Sequence, residues 1–150
     1  MHYNSLDHFL TVHQPELTTL MTEAMQVAGG YYAALTPAAL HQLAVQDAAN
    51  AQRMLLAAHL DRQSIQGSTR QLTAQGIPIP DLIRAAQEME LRMLAFGEQQ
   101  LATQPDLHLE LVRRIQHVGA SYRSNVTAVQ IDETLRRLQD HSPRPRPGAG

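Results

Sequence analysis

Eight histidines and fourteen acidic residues stand in this chain with no cysteine, so the chemistry to test first is that of imidazole and carboxylate. A metal site on one helix needs two imidazoles four residues apart, as in HExxH. His8 and His13 are five apart and His108 and His117 nine apart, so neither pair shares a helical face. His41 and His59 are isolated. His59 falls on or near the apolar edge of a helix, where an axial haem ligand could stand, although a hydrogen-bonded structural histidine is the commoner occupant. With two Phe and no Trp there is little to wall a porphyrin.

The carboxylates give no acid/base pair, because Glu88 and Glu90 are two apart and point to different helical faces. There is no GxSxG elbow and no Gly-rich phosphate loop. The sequence therefore predicts no enzyme, no metal and no cofactor. Three features are left that suit a pocket or an ordinary core. Tyr31-Tyr32 follows Gly29-Gly30, and a tyrosine pair there either lines a ligand site or anchors a small core, the anchor being commoner. Met54, Met89 and Met93 are adaptable lining or core filling, filling being commoner. Asp47 interrupts an apolar stripe; it either pairs with an arginine of a neighbouring helix or rotates to the edge, and the edge is the simpler expectation.

At 150 residues, 43% hydrophobic and 17% charged, the chain suits one domain with a real core. Aromatics are 4%, so that core is built from Leu, Ala, Met, Ile and Val, a palette that favours helices. The net charge is -2 and every basic residue is Arg, without the basic stripe that holds nucleic acid. The N-terminus lacks a signal peptide, and no run approaches the ~18 apolar residues of a membrane span. A soluble, cytoplasmic protein is the expectation.

Helix signals punctuate the whole chain. Ser5 caps a short helix to about His13, and Pro15 restarts it through Ala28. Thr36-Pro37 opens a long helix whose stripe runs from Leu40 to His59. Asp61 caps the next, with Ile65, Ser68, Thr69 and Leu72 inward, Arg62, Gln66 and Arg70 outward, and Gly67 marking close packing. The stretch Gln75-Gly76-Ile77-Pro78-Ile79-Pro80-Asp81 then ends one helix and starts another, which runs to about Leu101. From Pro105 nothing breaks helicity until about Gln139, a length of about 50 Å, so part of this helix is expected to project. Its 4-3 spacings suit a signalling helix, and Ile115, Tyr122, Val126 and Val129 are the face expected at a dimer interface. Residues 1–139 thus read as a helical sensor and dimerisation domain, and 140–150 as a disordered Pro/Arg/Gly tail or the start of a linker.

The order of these elements resembles the N-terminal sensor domains of RsbR-type stressosome proteins (RsbT co-antagonists). The similarity is carried by Phe9-Leu10 with His13, by Tyr31-Tyr32-Ala33-Ala34-Leu35, and above all by Gln75-Gly76-Ile77-Pro78 leading into Asp81-Leu82-Ile83-Arg84-Ala85. It implies an all-α, globin-like bundle of about six helices without haem and with a long C-terminal exit helix. It also implies a homodimer that signals to a STAS-type or switch-kinase partner in a stress-response pathway of the anti-sigma antagonist type. No STAS domain stands in this sequence, which suits a truncated sensor module or a stand-alone relative. The expected function is a non-enzymatic regulatory sensor; the alternative is a helical domain that binds a small molecule or tetrapyrrole.

Overall fold

Each break in the sequence becomes a helix boundary in the computed structural model, which describes residues 1–141. Ser5 caps α1 (Leu6–Val12) by accepting the His8 N–H at 3.0 Å. The helix α2 (Gln14–Ala28) starts at once, because Pro15 in its first turn has no N–H that needs a partner. Gly29 and Gly30, with φ of 66° and 56°, then turn the chain into a short 3-10 segment (Gly30–Ala34). Thr36 caps α3 (Pro37–Leu56) through the Ala39 N–H, and Asp61 caps α4 (Arg62–Ala74) through the Gln63 N–H.

The corner after α4 is built by its backbone. Gly76, at φ 100°, gives its N–H to the Thr73 carbonyl at 3.0 Å, and Ile77 gives its own to Leu72 at 3.2 Å. These two bonds satisfy carbonyls that the helix end leaves open. Pro78 then precedes α5 (Ile79–Gln100), and α6 (Pro105–Asp140) closes the chain with 36 residues. Among the described residues there are six α-helices and no strand, the all-α bundle with a long last helix that was expected. None of these helices is long and apolar enough to cross a membrane.

α2 packs between α3 and α5, and α6 lies across α5, α4 and α3. Phe9, Leu10, Leu17, Met25, Leu101 and Leu111 are fully buried where these layers meet, each contributing about 1.5–3 kcal/mol. Gly97 lets α6 approach α5: a Cβ there would stand 2.6 Å from Leu111 Cδ2. The Gln104 side-chain amide, at the start of α6, bonds both the N–H and the carbonyl of Tyr3 at 2.8 Å and so ties the N-terminal segment to that helix.

Several expectations change. Ile115, Val126 and Val129 are 3%, 0% and 0% exposed, and Tyr122 is half-buried. Val126, Val129 and Tyr122 pack with Ile79 and Ile83 of α5, and Ile115 belongs to the main core, so this face serves the chain's own fold and not a dimer interface. A one-sided apolar stripe says that a helix packs, without saying whose surface it packs on. The buried side chains of α6 run from Leu111 to Val129, and the residues from 134 to 140, the part that projects, are exposed. α3 stops at Leu56, short of His59, and Gly67 has nothing within 4 Å of the position its Cβ would take. Asp140 belongs to α6, and the remainder of the expected tail, 142–150, lies outside the described residues.

The glycines give paired predictions. Gly30→Ala would force a Cβ to 2.4 Å from Asp81 Oδ2 at a positive φ, and should lower stability by at least about 2 kcal/mol. Gly67→Ala, in the open interior of α4, should raise it by about 0.5–1 kcal/mol. Urea unfolding of the two variants beside the wild type measures both.

Candidate functional site

Asp81, 5% exposed, accepts the Tyr31 N–H at 3.0 Å and pairs with Arg84 on its own helix. It thereby fastens the 3-10 segment to α5 and seats the next side chain, Tyr32, in the interior. Tyr32 forms part of the wall of a cavity of about 420 Å³, a size that suits a small ligand. Short side chains on facing helices leave this room: Ala51 on α3, Ala85 and Ala86 on α5, and Gly119 on α6. α4 covers one side with Ile65, Ser68 and Leu72.

Four of the six methionines, Met21, Met54, Met89 and Met93, line this cavity. Their flexible thioethers adapt to the shape of an occupant better than branched side chains do. The three methionines singled out from the sequence are thus brought together at a pocket wall, and Met89 and Met93 also belong to the core. Tyr32 likewise both anchors the core and faces the cavity.

Asp47 is the polar centre. Among the described residues it pairs with no arginine, and it is half-buried, lining the cavity together with Tyr32 and Tyr122. Burial pushes its carboxyl from the ordinary 3.8 up to about 6. Burial also pushes both phenols far above their usual range, and the negative charge of Asp47 adds to the rise in each. Among the described residues, the Asp47 carboxylate and the two hydroxyls have no hydrogen-bond or ion-pair partner within the protein, and none of their oxygens is sealed from the cavity. Three oxygens without a protein partner thus face one cavity and can accept from an occupant.

The rim is ionic and already paired. Glu90 meets Arg123 at 2.7 Å, and Gly119 is what lets that carboxylate approach α6, since a Cβ there would stand 2.7 Å from Glu90 Oε2. Arg53 bonds Asn50. Arg114 donates to the Ala57 carbonyl at 2.9 Å and fastens the loop between α3 and α4 to α6. Two residues of α4 that the spacing placed outward instead hold it to α6: Gln66 donates to Asn125 at 3.0 Å and Arg70 pairs with Asp132 at 3.2 Å.

The histidines stay apart. His13 accepts or donates a 2.6 Å bond with the Tyr3 hydroxyl inside a ring cluster with Phe9 and Phe96, away from the cavity. His59 is exposed on the loop at the cavity's edge. Among the described residues no three metal-binding side chains come together. Glu88 bonds Arg92 while Glu90 turns to Arg123, so the two glutamates diverge as expected. The role of Asp47 was the one missed. Its signal was a carboxylate on a stripe whose neighbours, Ala44, Ala48 and Ala51, are all small.

Asp47 makes stability depend on pH with a definite sign. The folded protein keeps its proton up to about pH 6 and the unfolded chain only to about 3.8, so ionisation opposes folding as pH rises through that window. Asp47→Asn should therefore stabilise the fold above the window by up to about 3 kcal/mol and have no effect below it. Thermal unfolding of both proteins across the acid range provides the check.

No protein-family model, curated protein or solved structure matches this chain significantly, so the geometry of the cavity carries its functional assignment.

Proposed function

We propose that this chain is a non-enzymatic regulatory module that takes a small, largely apolar ligand into the cavity beneath α4 and reports its occupancy through α6. The observation that carries this is the set of unpartnered groups, Asp47, Tyr32 and Tyr122, at a methionine-lined cavity of about 420 Å³. Asp47 could serve an enzyme there as a base, but among the described residues no nucleophile is hydrogen-bonded to it. The cavity brings instead a flexible apolar wall and one polar centre, the usual division of labour in a binding site.

The output follows from where α4 is attached. Its polar partners on α6 are Asn125, Asp132 and Glu133, the last 3.2 Å from the Thr73 hydroxyl. An occupant that shifts α4 acts on the far half of α6, the helix that the sequence marked for signalling. Two readouts test this. The neutral fluorophore N-phenyl-naphthylamine should bind saturably and one to one, shift the methyl resonances of Met54, Met89 and Met93 but not Met1, and be excluded by Ala86→Phe. Its binding should also slow amide exchange in α4 and in 125–133. Absence of saturable binding overturns the pocket, and protection confined to α2, α3 and α5 overturns the coupling.

Dimerisation belongs to this proposal through a different surface from the one expected. Ile131 and Leu135 are 54% and 51% exposed and lie four residues apart on the distal part of α6. A second copy, or a STAS-type or switch-kinase partner such as the resemblance implies, would meet the domain there. The solution mass by light scattering should fall from dimer to monomer in Ile131→Glu/Leu135→Glu. A wild-type monomer removes the self-association step and leaves the pocket untouched.

A further inference from the structure

The charges around the cavity do not balance, and the imbalance specifies an occupant. Glu90 and Arg123 neutralise each other, and the exposed Arg53, bonded to the neutral Asn50, and the exposed Asp61, the cap of α4, carry charges of opposite sign that cancel in the sum over the lining. What remains inside is the Asp47 carboxylate, with no cation from the protein against it among the described residues. An ionised carboxylate out of water is stable only beside a positive charge or strong donors.

Resting on the pocket assigned above, we propose that the ligand is an organic ammonium ion, its apolar body among the methionines and its charged nitrogen against Asp47, Tyr32 and Tyr122. The chemistry of the three groups agrees. An alkylammonium nitrogen carries N–H donors only, and the carboxylate and the two phenolic oxygens all accept. The faces of the tyrosine rings also attract a cation, more strongly when it is desolvated. A carboxylate ligand would be repelled by Asp47, and the arginines of the lining are Arg123, paired with Glu90, and Arg53, exposed and bonded to Asn50. A neutral ligand would leave the Asp47 charge uncompensated. Met21, Met54, Met89 and Met93 suit a bulky aliphatic or aromatic body in place of a polyamine, whose second charge would find the other lining carboxylates, Glu90 and Asp61, already engaged by Arg123 and by the Gln63 N–H.

Matched ligands that differ only in the head group test this on the full chain. The probes are aminoadamantane, adamantanol and adamantane carboxylate, with octylamine, octanol and octanoate as a slimmer set. Affinities are read at neutral pH from methionine methyl shifts and by calorimetry. In each set the amine should bind at least about tenfold more tightly than the alcohol, with the carboxylate weakest. Asp47→Asn should bring amine and alcohol to within about threefold of one another by weakening the amine alone. Amines and alcohols that bind equally in the wild type, or an amine preference that survives Asp47→Asn, would overturn the ammonium assignment while leaving the pocket standing. If no member of either set displaces N-phenyl-naphthylamine or shifts a pocket methionine, both the ligand class and the pocket fail together. Tyr122→Phe serves as the second variant: it keeps the ring and removes an acceptor, and a specific loss of amine affinity there supports the proposal even if Asp47→Asn alters the local packing.

Discussion

The contact between Asp81 and the Gly30–Tyr31 backbone is the constraint on which the interior depends. A carboxylate with almost no solvent exposure needs strong donors, and here it has the Tyr31 N–H and the Arg84 guanidinium. The bond joins segments 50 positions apart in the chain and fixes where the loop after α2 meets the start of α5. Gly30 is required twice over, by its positive φ and by the carboxylate lying where a Cβ would be. Because the next residue but one is Tyr32, the same contact decides that a phenol faces the cavity. The corner from Gln75 to Asp81 is thus both a helix boundary and the support of the site.

That dual use explains what the sequence could and could not convey. Caps and breaks act locally, so Ser5, Thr36, Asp61, Gly76 and Pro78 mark the helices to within a few residues. The partners of a helix face are set by tertiary packing, and they escape a periodicity argument. The stripe of Ile115, Val126 and Val129 is the clearest case, since the same spacing would serve a second subunit as well as it serves α5. Gln66 and Arg70 failed for a related reason: polar side chains suit a solvated face, but here they reach across to Asn125 and Asp132. The QGIP phrase that carried the family resemblance has a local physical role at each position, in closing α4, opening α5 and holding Tyr31. Such a corner can arise wherever two helices must meet tightly.

The cavity is a place where stability has been given up. Filling it with larger side chains at Ala51, Ala85 or Ala86 and replacing Asp47 by an apolar residue would make a better core, by the general rule that buried charges and voids destabilise. The chain instead keeps small residues, flexible methionines and an ionisable group in one place. Local concessions of this kind cluster where a protein binds something. The ring cluster around His13 differs in its dense aromatic packing; there Nε2 bonds the Tyr3 hydroxyl, and Nδ1 is the one buried side-chain nitrogen among the described residues without a hydrogen bond.

Whether an occupant can move anything depends on how firmly each wall is held. α2 and α5 meet through fully or largely buried apolar side chains, and shifting them would cost many of the 1.5–3 kcal/mol contributions that hold the core. α4 is different. It buries only Ile65 and Thr69, and its links to α6 are one amide pair, one surface ion pair and a hydroxyl contact. Such links contribute about 0.5–1.5 kcal/mol for the hydrogen bonds and about 0–1 for the exposed ion pair. Their sum is comparable to the roughly 2.7 kcal/mol that a ligand supplies at a hundredfold excess over its Kd. Under the proposed function, a ligand whose affinities for two positions of α4 differ by that much would bias α4 without rearranging the core. Its displacement would then fall on the wall that is tied to the far half of α6.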